Sequence, residues 1–99
     1  MPNIYKYLGI VIKLYTHDHD PIHFHAVYSD GAEVRISLYE RDGVVHTVRY
    51  EVLKGNISPA KMDDLKTFVS KHKNALLLAY NQIKGGSKFK TIEITKRIK

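Results

Sequence analysis

The hydrophobic pattern of this chain changes its period near residue 56, and this change limits the possible folds more than any other feature. Before it, apolar and polar residues mostly alternate, which is typical of β-strands with one buried face. After it, over residues 59–84, apolar residues recur at helical spacing. Strands followed by helices predict an α+β domain, in which an antiparallel sheet carries two C-terminal helices on one face.

About four strands are predicted within residues 3–52, separated by turn signals. The first is the β-branched and aromatic run 7–16, in which Gly9 indicates a bulge or a close backbone approach. Asp-Gly pairs at residues 30–31 and 42–43 indicate tight turns between the later strands, because glycine accepts a positive φ angle. These signals predict hairpins and hence antiparallel neighbours.

The helical segment has a recognisable start. Ser58 is a suitable N-cap, and Pro59 fits the first helical position, where its missing N–H costs nothing. The polar residues around Asn74 interrupt the apolar pattern, so we expect two helices divided there, or else one kinked helix. The alternating residues 89–98 are compatible with a short fifth strand. The apolar helical residues expected to pack on the sheet are Leu65, Phe68, Val69 and Leu76.

Chain length and composition favour one folded domain over residues 1–99, with a basic C-terminal segment at 85–99. The absence of cysteine excludes disulfides, thiolate metal sites and a cysteine nucleophile. The N-terminus lacks a signal-peptide pattern, and no stretch approaches the ~20 apolar residues that a membrane span needs. We therefore expect a cytoplasmic protein without a membrane partner.

The chain carries a net charge of +6, which favours a polyanionic partner. Nucleic acid, an acidic protein and an anionic ligand all fit this charge, and a merely lysine-rich surface is the simpler alternative. A homodimer formed through a sheet edge or a helix is a further expectation for a small domain of this kind. The composition alone does not distinguish among these partners.

Four of the six histidines and two aspartates lie within residues 17–25. His23 and His25 are two positions apart, so on a strand their rings leave one face while Phe24 enters the core on the other. Two such imidazoles are half of a site for a divalent metal ion, which nearby side chains of the preceding turn could complete. The metal-ligand candidates are His19, His23, His25 and Asp18, with His17 and Asp20 as further neighbours.

The same residues also suit phosphate chemistry without a metal ion. Histidine can act as acid or base on RNA when cations stabilise the developing charge. If the first three predicted strands are neighbours, polar side chains from all of them converge beside the histidines. The catalytic candidates are His23, His25, Lys13, Tyr15 and Arg35. An exposed polar face with ordinary cross-strand charge pairs is the competing interpretation.

Residues 9–15, Gly-Ile-Val-Ile-Lys-Leu-Tyr, and residues 18–26, Asp-His-Asp-Pro-Ile-His-Phe-His-Ala, resemble a family of short bacterial proteins, domain-of-unknown-function family 4160. The family pattern peaks at Asp-His-x-Pro-Pro-His-Phe-His-Ala. Here Ile22 replaces the second proline, and the His-Phe-His-Ala core is intact. The resemblance implies one member of a two-gene module of toxin–antitoxin type, with an acidic antitoxin-like protein as partner.

Together these observations lead to one main hypothesis and two alternatives. The main hypothesis is a toxin–antitoxin-type component that acts on nucleic acid or translation through the face carrying His23 and His25. The alternatives are a non-enzymatic metal- or ligand-binding regulatory module and a plain protein-interaction domain. The residues leave open whether the protein is an enzyme.

Overall fold

A computed structural model of the chain describes residues 3–15, 22–86 and 88–96. Within these residues, five strands precede one long helix, and a short sixth strand follows it. The elements in chain order are β1 (Asn3–Tyr7), β2 (Ile10–Tyr15), β3 (Ile22–Tyr28), β4 (Glu33–Arg41), β5 (Val44–Lys54), α1 (Pro59–Lys84) and β6 (Ile92–Ile94). The predicted α+β order is confirmed.

All six strands belong to one curled sheet in the order β5-β4-β3-β2-β1-β6. Strands β1 to β5 pair as antiparallel neighbours, whereas β6 lies parallel to β1. The sheet is therefore mixed, and the prediction of a wholly antiparallel sheet is wrong for its last strand. A parallel partner is possible there because the whole helix separates β1 from β6 and carries the chain back over the sheet.

The sequence pattern predicts one strand too few before the helix, because residues 3–15 form a hairpin of two strands where the run 7–16 suggests a single strand. Leu8 and Gly9 both have positive φ angles, 45° and 82°, as the two-residue turn of a hairpin requires. Leucine seldom takes this conformation, so the turn was hidden in an apolar run. Gly9 thus marks the turn, and the irregularity in pairing lies instead between Asn3 and Tyr5.

The prediction of two helices is also wrong, since α1 continues without a break for 26 residues. Asn74 is exposed on the outside of the helix, where asparagine costs only a few tenths of a kcal/mol relative to better helix formers. Leu76 and Tyr80 beyond it are buried and continue the apolar face. The predicted cap is confirmed, because the Ser58 hydroxyl accepts a hydrogen bond from the backbone N–H of Lys61 at 3.2 Å.

The core lies between α1 and one face of the sheet. The Phe68 ring stacks on the Tyr7 ring at 4.7 Å between centroids and meets the Tyr5 ring edge-on at 5.2 Å. The four predicted helical core residues are all fully buried, as are Ile12, Phe24 and Ile36 of the sheet. Among the described residues, α1 is the only helix, and it is not apolar enough to cross a bilayer.

Candidate functional site

The candidate residues lie on the face of the sheet opposite to α1. Because side chains alternate along a strand, the neighbours of the core residues point away from the helix. The strand register then aligns such residues across the sheet. One aligned set, which we call the histidine row, contains Asn3, Lys13, His25, Arg35 and Glu51, one residue from each of β1 to β5.

A second aligned set on the same face lies two residues away from the histidine row on each strand. It contains Tyr15, His23, Ser37 and Arg49 at register positions on β2 to β5. Phe24, between the two histidines, is fully buried in the core, as the alternation predicted. The pairing of β2 with β3 thus places Lys13 opposite His25 and Tyr15 opposite His23. The predicted turn at residues 17–21 lies outside the described residues.

His25 is held by the carboxylate of Glu33, which residue spacing does not identify as its partner. Its Nδ1 atom lies 2.5 Å from Oε2 of Glu33, and the whole residue is only 8 % exposed. A carboxylate bonded to one ring nitrogen fixes both the tautomer and the orientation of an imidazole. Glu33 is the register partner of Val27, so it reaches His25 diagonally across β3 and β4. Its position on β4 was visible in the sequence, but the register that brings it to His25 was not.

The cations of this face differ in whether a carboxylate lies close to them. Arg35 is bonded to the Glu51 carboxylate, and Arg49 lies 3.3 Å from the same group. Lys13 forms no ion pair with any residue in the described part of the chain. Within the described part of the chain, Lys13 is therefore the cation of the histidine row whose charge is least compensated.

Residues 9–81 of this chain match the model of a protein family described as Domain of unknown function (DUF4160). The protein belongs to the DUF4160 family. The match covers β2 to β5 and most of α1, so it includes the whole histidine row apart from Asn3. Searches of curated proteins and of solved structures give no match.

The metal prediction for this DUF4160 protein depends partly on the turn before β3. Within residues 3–15, 22–86 and 88–96, no three histidine or carboxylate side chains are arranged to hold a metal ion. His19 and Asp18 lie outside the described residues, as do His17 and Asp20. The metal site therefore stays a prediction, with His23 and His25 as its described part.

The DUF4160 chain also contains a buried phenol at the end of β3. The Tyr28 hydroxyl is inaccessible, and it has no hydrogen-bond partner within the described residues. Burial, followed by the negative charges of Asp64 and Asp30, raises the pKa of Tyr28 to about 12. Tyr28 has the parity of the core residues, so this group lies on the other side of the sheet from the histidine row.

Proposed function

We propose that this DUF4160 protein is a toxin–antitoxin-type component that cleaves RNA on the sheet face opposite to α1. The observation that carries the proposal is the His25 ring, fixed by Glu33 and aligned with Lys13 on the neighbouring strand. An oriented imidazole beside an ammonium group on the next strand is a combination suited to acid–base chemistry at a phosphodiester.

The two histidines, Lys13 and Glu33 divide the reaction among them. His23 and His25 leave the same face of β3 about 6.6 Å apart along the strand, a distance that a phosphodiester can span. One imidazole takes the proton of the 2′-hydroxyl as that oxygen attacks phosphorus. The other, protonated, gives its proton to the departing 5′-oxygen as the P–O bond breaks. Lys13 stabilises the negative charge on the non-bridging oxygens, and Glu33 keeps His25 in position.

Two features support RNA over the alternative functions. The net charge of +6 favours a polyanionic substrate. The described residues supply both histidines and Lys13 for metal-free cleavage, whereas a metal site would need further ligands from outside them. RNA chemistry therefore explains more of the described face than metal binding does.

Induced expression in a bacterial host tests the proposal. The wild-type protein should arrest growth, and both His25→Ala and Lys13→Ala should relieve the arrest. Lys71→Ala is the matched control, because Lys71 is an exposed lysine of α1 on the other side of the sheet, and it should arrest growth like the wild type. Soluble protein levels and circular dichroism verify that each variant is folded.

Two results would contradict the proposal. One is a wild-type protein that accumulates without slowing growth. The other is an arrest that persists in folded His25→Ala and Lys13→Ala proteins, since the histidine row would then have no part in it.

A further inference from the structure

A groove of about 640 Å³ adjoins the histidine row at the end of the sheet where β1 turns into β2. Its floor is another aligned set of residues, which we call the groove row: Glu93, Lys6, Val11 and Val27, from β6, β1, β2 and β3. Lys13 of the histidine row also lines the groove. The two sites are therefore neighbours on one face and share a residue.

The lining of the groove is aliphatic with an excess of positive charge. Val11 and Val27 form a half-buried pair on its floor, and Leu8 at its rim is 46 % exposed. Lys6 and Lys13 provide two ammonium groups, against the single carboxylate of Glu93 among the described lining residues. The groove thus offers apolar contacts together with attraction for acidic groups.

Leu8 is unusual both in its exposure and in its backbone conformation. Its φ angle of 45° belongs to the left-handed region, where hairpin turns normally use asparagine, aspartate or glycine. A leucine there is strained and also exposes apolar surface to water. Such departures from local preference concentrate at functional sites, because function and not stability maintains them.

The aromatic residues of the lining argue against a nucleobase as the occupant. Tyr7 and Tyr28 line the groove, but both are buried with the core. They present no open ring face on which a base could stack, which is the usual way in which single-stranded nucleic acid is held. A peptide, in contrast, can present aliphatic side chains and acidic groups together, as this lining requires.

We propose that the groove binds an extended segment of a partner protein that carries both aliphatic and acidic side chains. The groove row crosses four strands, so it spans about 14 Å at the usual spacing between strands, the length of about four extended residues. Aliphatic side chains of the segment pack on Leu8, Val11 and Val27. Its carboxylates contact Lys6 and Lys13.

Such a segment would also regulate the neighbouring site, an extension that rests on the proposed RNA function. A carboxylate bound to Lys13 neutralises the cation that RNA phosphate needs in the histidine row. The partner and RNA should therefore compete for the same face of the protein. Competition through one shared lysine needs no conformational change.

The binding test uses methyl-labelled protein and NMR titrations with two capped hexapeptides, Leu-Glu-Leu-Glu-Leu-Glu and Leu-Lys-Leu-Lys-Leu-Lys. The acidic peptide should shift the methyl signals of Leu8, Val11 and Val27, and the basic peptide should not. Leu8→Asn should weaken binding of the acidic peptide at least tenfold, although asparagine suits the turn better and should not unfold the protein. Leu78→Asn is the matched control, because Leu78 is an exposed leucine of α1, and it should bind like the wild type.

Three results would overturn the groove proposal: no shifts with the acidic peptide, equal shifts with both peptides, or a Leu8→Asn protein that binds as the wild type does. A parallel titration with a 2′-O-methyl oligouridine, which the proposed reaction cannot cleave, separates this proposal from the RNA function. Peptide binding without any RNA binding refutes the RNA function and leaves the groove proposal standing. If RNA shifts the methyl signals of the groove and the acidic peptide does not, the groove proposal is refuted.

Discussion

Removal of the His25 ring should destabilise the fold more than its place on the polar face suggests. His25→Ala leaves the Glu33 carboxylate, whose side chain is only 16 % exposed, without the ring nitrogen that lies 2.5 Å from it. Hydrogen bonds to charged groups contribute roughly 1.5–3 kcal/mol, and a buried charged group left without its partner also loses the energy of its desolvation. Since this pair keeps some contact with water, we expect a loss of about 2–3 kcal/mol in the free energy of unfolding.

Urea denaturation at neutral pH measures this effect in a double-mutant cycle of His25→Ala, Glu33→Ala and the double variant. The loss in the double variant should fall short of the sum of the single losses by about 1–2 kcal/mol, because either change alone already breaks the contact. His46→Ala is the control for an exposed histidine of the same sheet, and it should stay within about 0.5 kcal/mol of the wild type.

Additive losses from the two single substitutions would refute this reasoning, because they would show that the two side chains do not interact in solution. So would a His25→Ala protein as stable as His46→Ala. In either case Glu33 could not be the group that orients the imidazole, and the reaction proposed for the histidine row would lose its positioning residue.

Two further predictions concern the other side of the sheet. Because the pKa of Tyr28 is raised to about 12, the folded protein keeps this proton at pH values where the unfolded chain, with a phenol pKa near 10, has released it. The contribution of Tyr28 to the unfolding free energy should therefore fall by up to about 2 kcal/mol between pH 10 and pH 12. Urea denaturation across this range should show a shallower loss for Tyr28→Phe, and an identical loss would disprove the assignment. Phe68→Ala should cost about 3–5 kcal/mol in the same assay, since its fully buried ring contacts Tyr5 and Tyr7; a cost below about 1 kcal/mol would mean that Phe68 is not a core residue.

Much of the fold could be predicted because several local signals agree with the tertiary structure. Alternation placed Phe24 in the core and its neighbouring histidines on the other face, and the buried ring confirms the inward half of that pattern. The Ser58 cap and the apolar spacing after it gave the start of α1 and its buried residues. In these segments, local preference and tertiary packing select the same conformation.

The incorrect predictions concern residues whose conformation in the structure departs from their local preference. Leu8 adopts a turn conformation that leucine disfavours, so the β1–β2 hairpin could not be recognised from residue types. Asn74 does not end the helix, because the buried residues beyond it continue to pack on the sheet. In both cases a single residue adopts a conformation that its type does not favour, and residue types alone do not reveal it.

The features of the candidate site that the sequence does not predict are all contacts between residues of different strands. Glu33 approaches His25 only through the diagonal register of β3 and β4, which residue spacing does not specify. The groove row joins Lys6 to Glu93, which lies near the other end of the chain. Sequence patterns show which face of a strand a residue occupies, but not which residues of other strands stand beside it.

The most direct test of the proposed function is the salt dependence of RNA binding by the purified protein. The binding constant for a single-stranded RNA with methylated 2′-hydroxyls, which the proposed reaction cannot cleave, is measured by fluorescence anisotropy at several salt concentrations. It gives a slope that reflects the number of phosphate contacts. If Lys13 contacts a phosphate, Lys13→Ala should reduce the magnitude of that slope by about 0.7, the value for one contact on a single strand, and Lys71→Ala should leave it unchanged. Equal slopes for the two variants, or a wild-type protein that does not bind RNA at any salt concentration, would contradict the proposal that this face of the sheet acts on RNA.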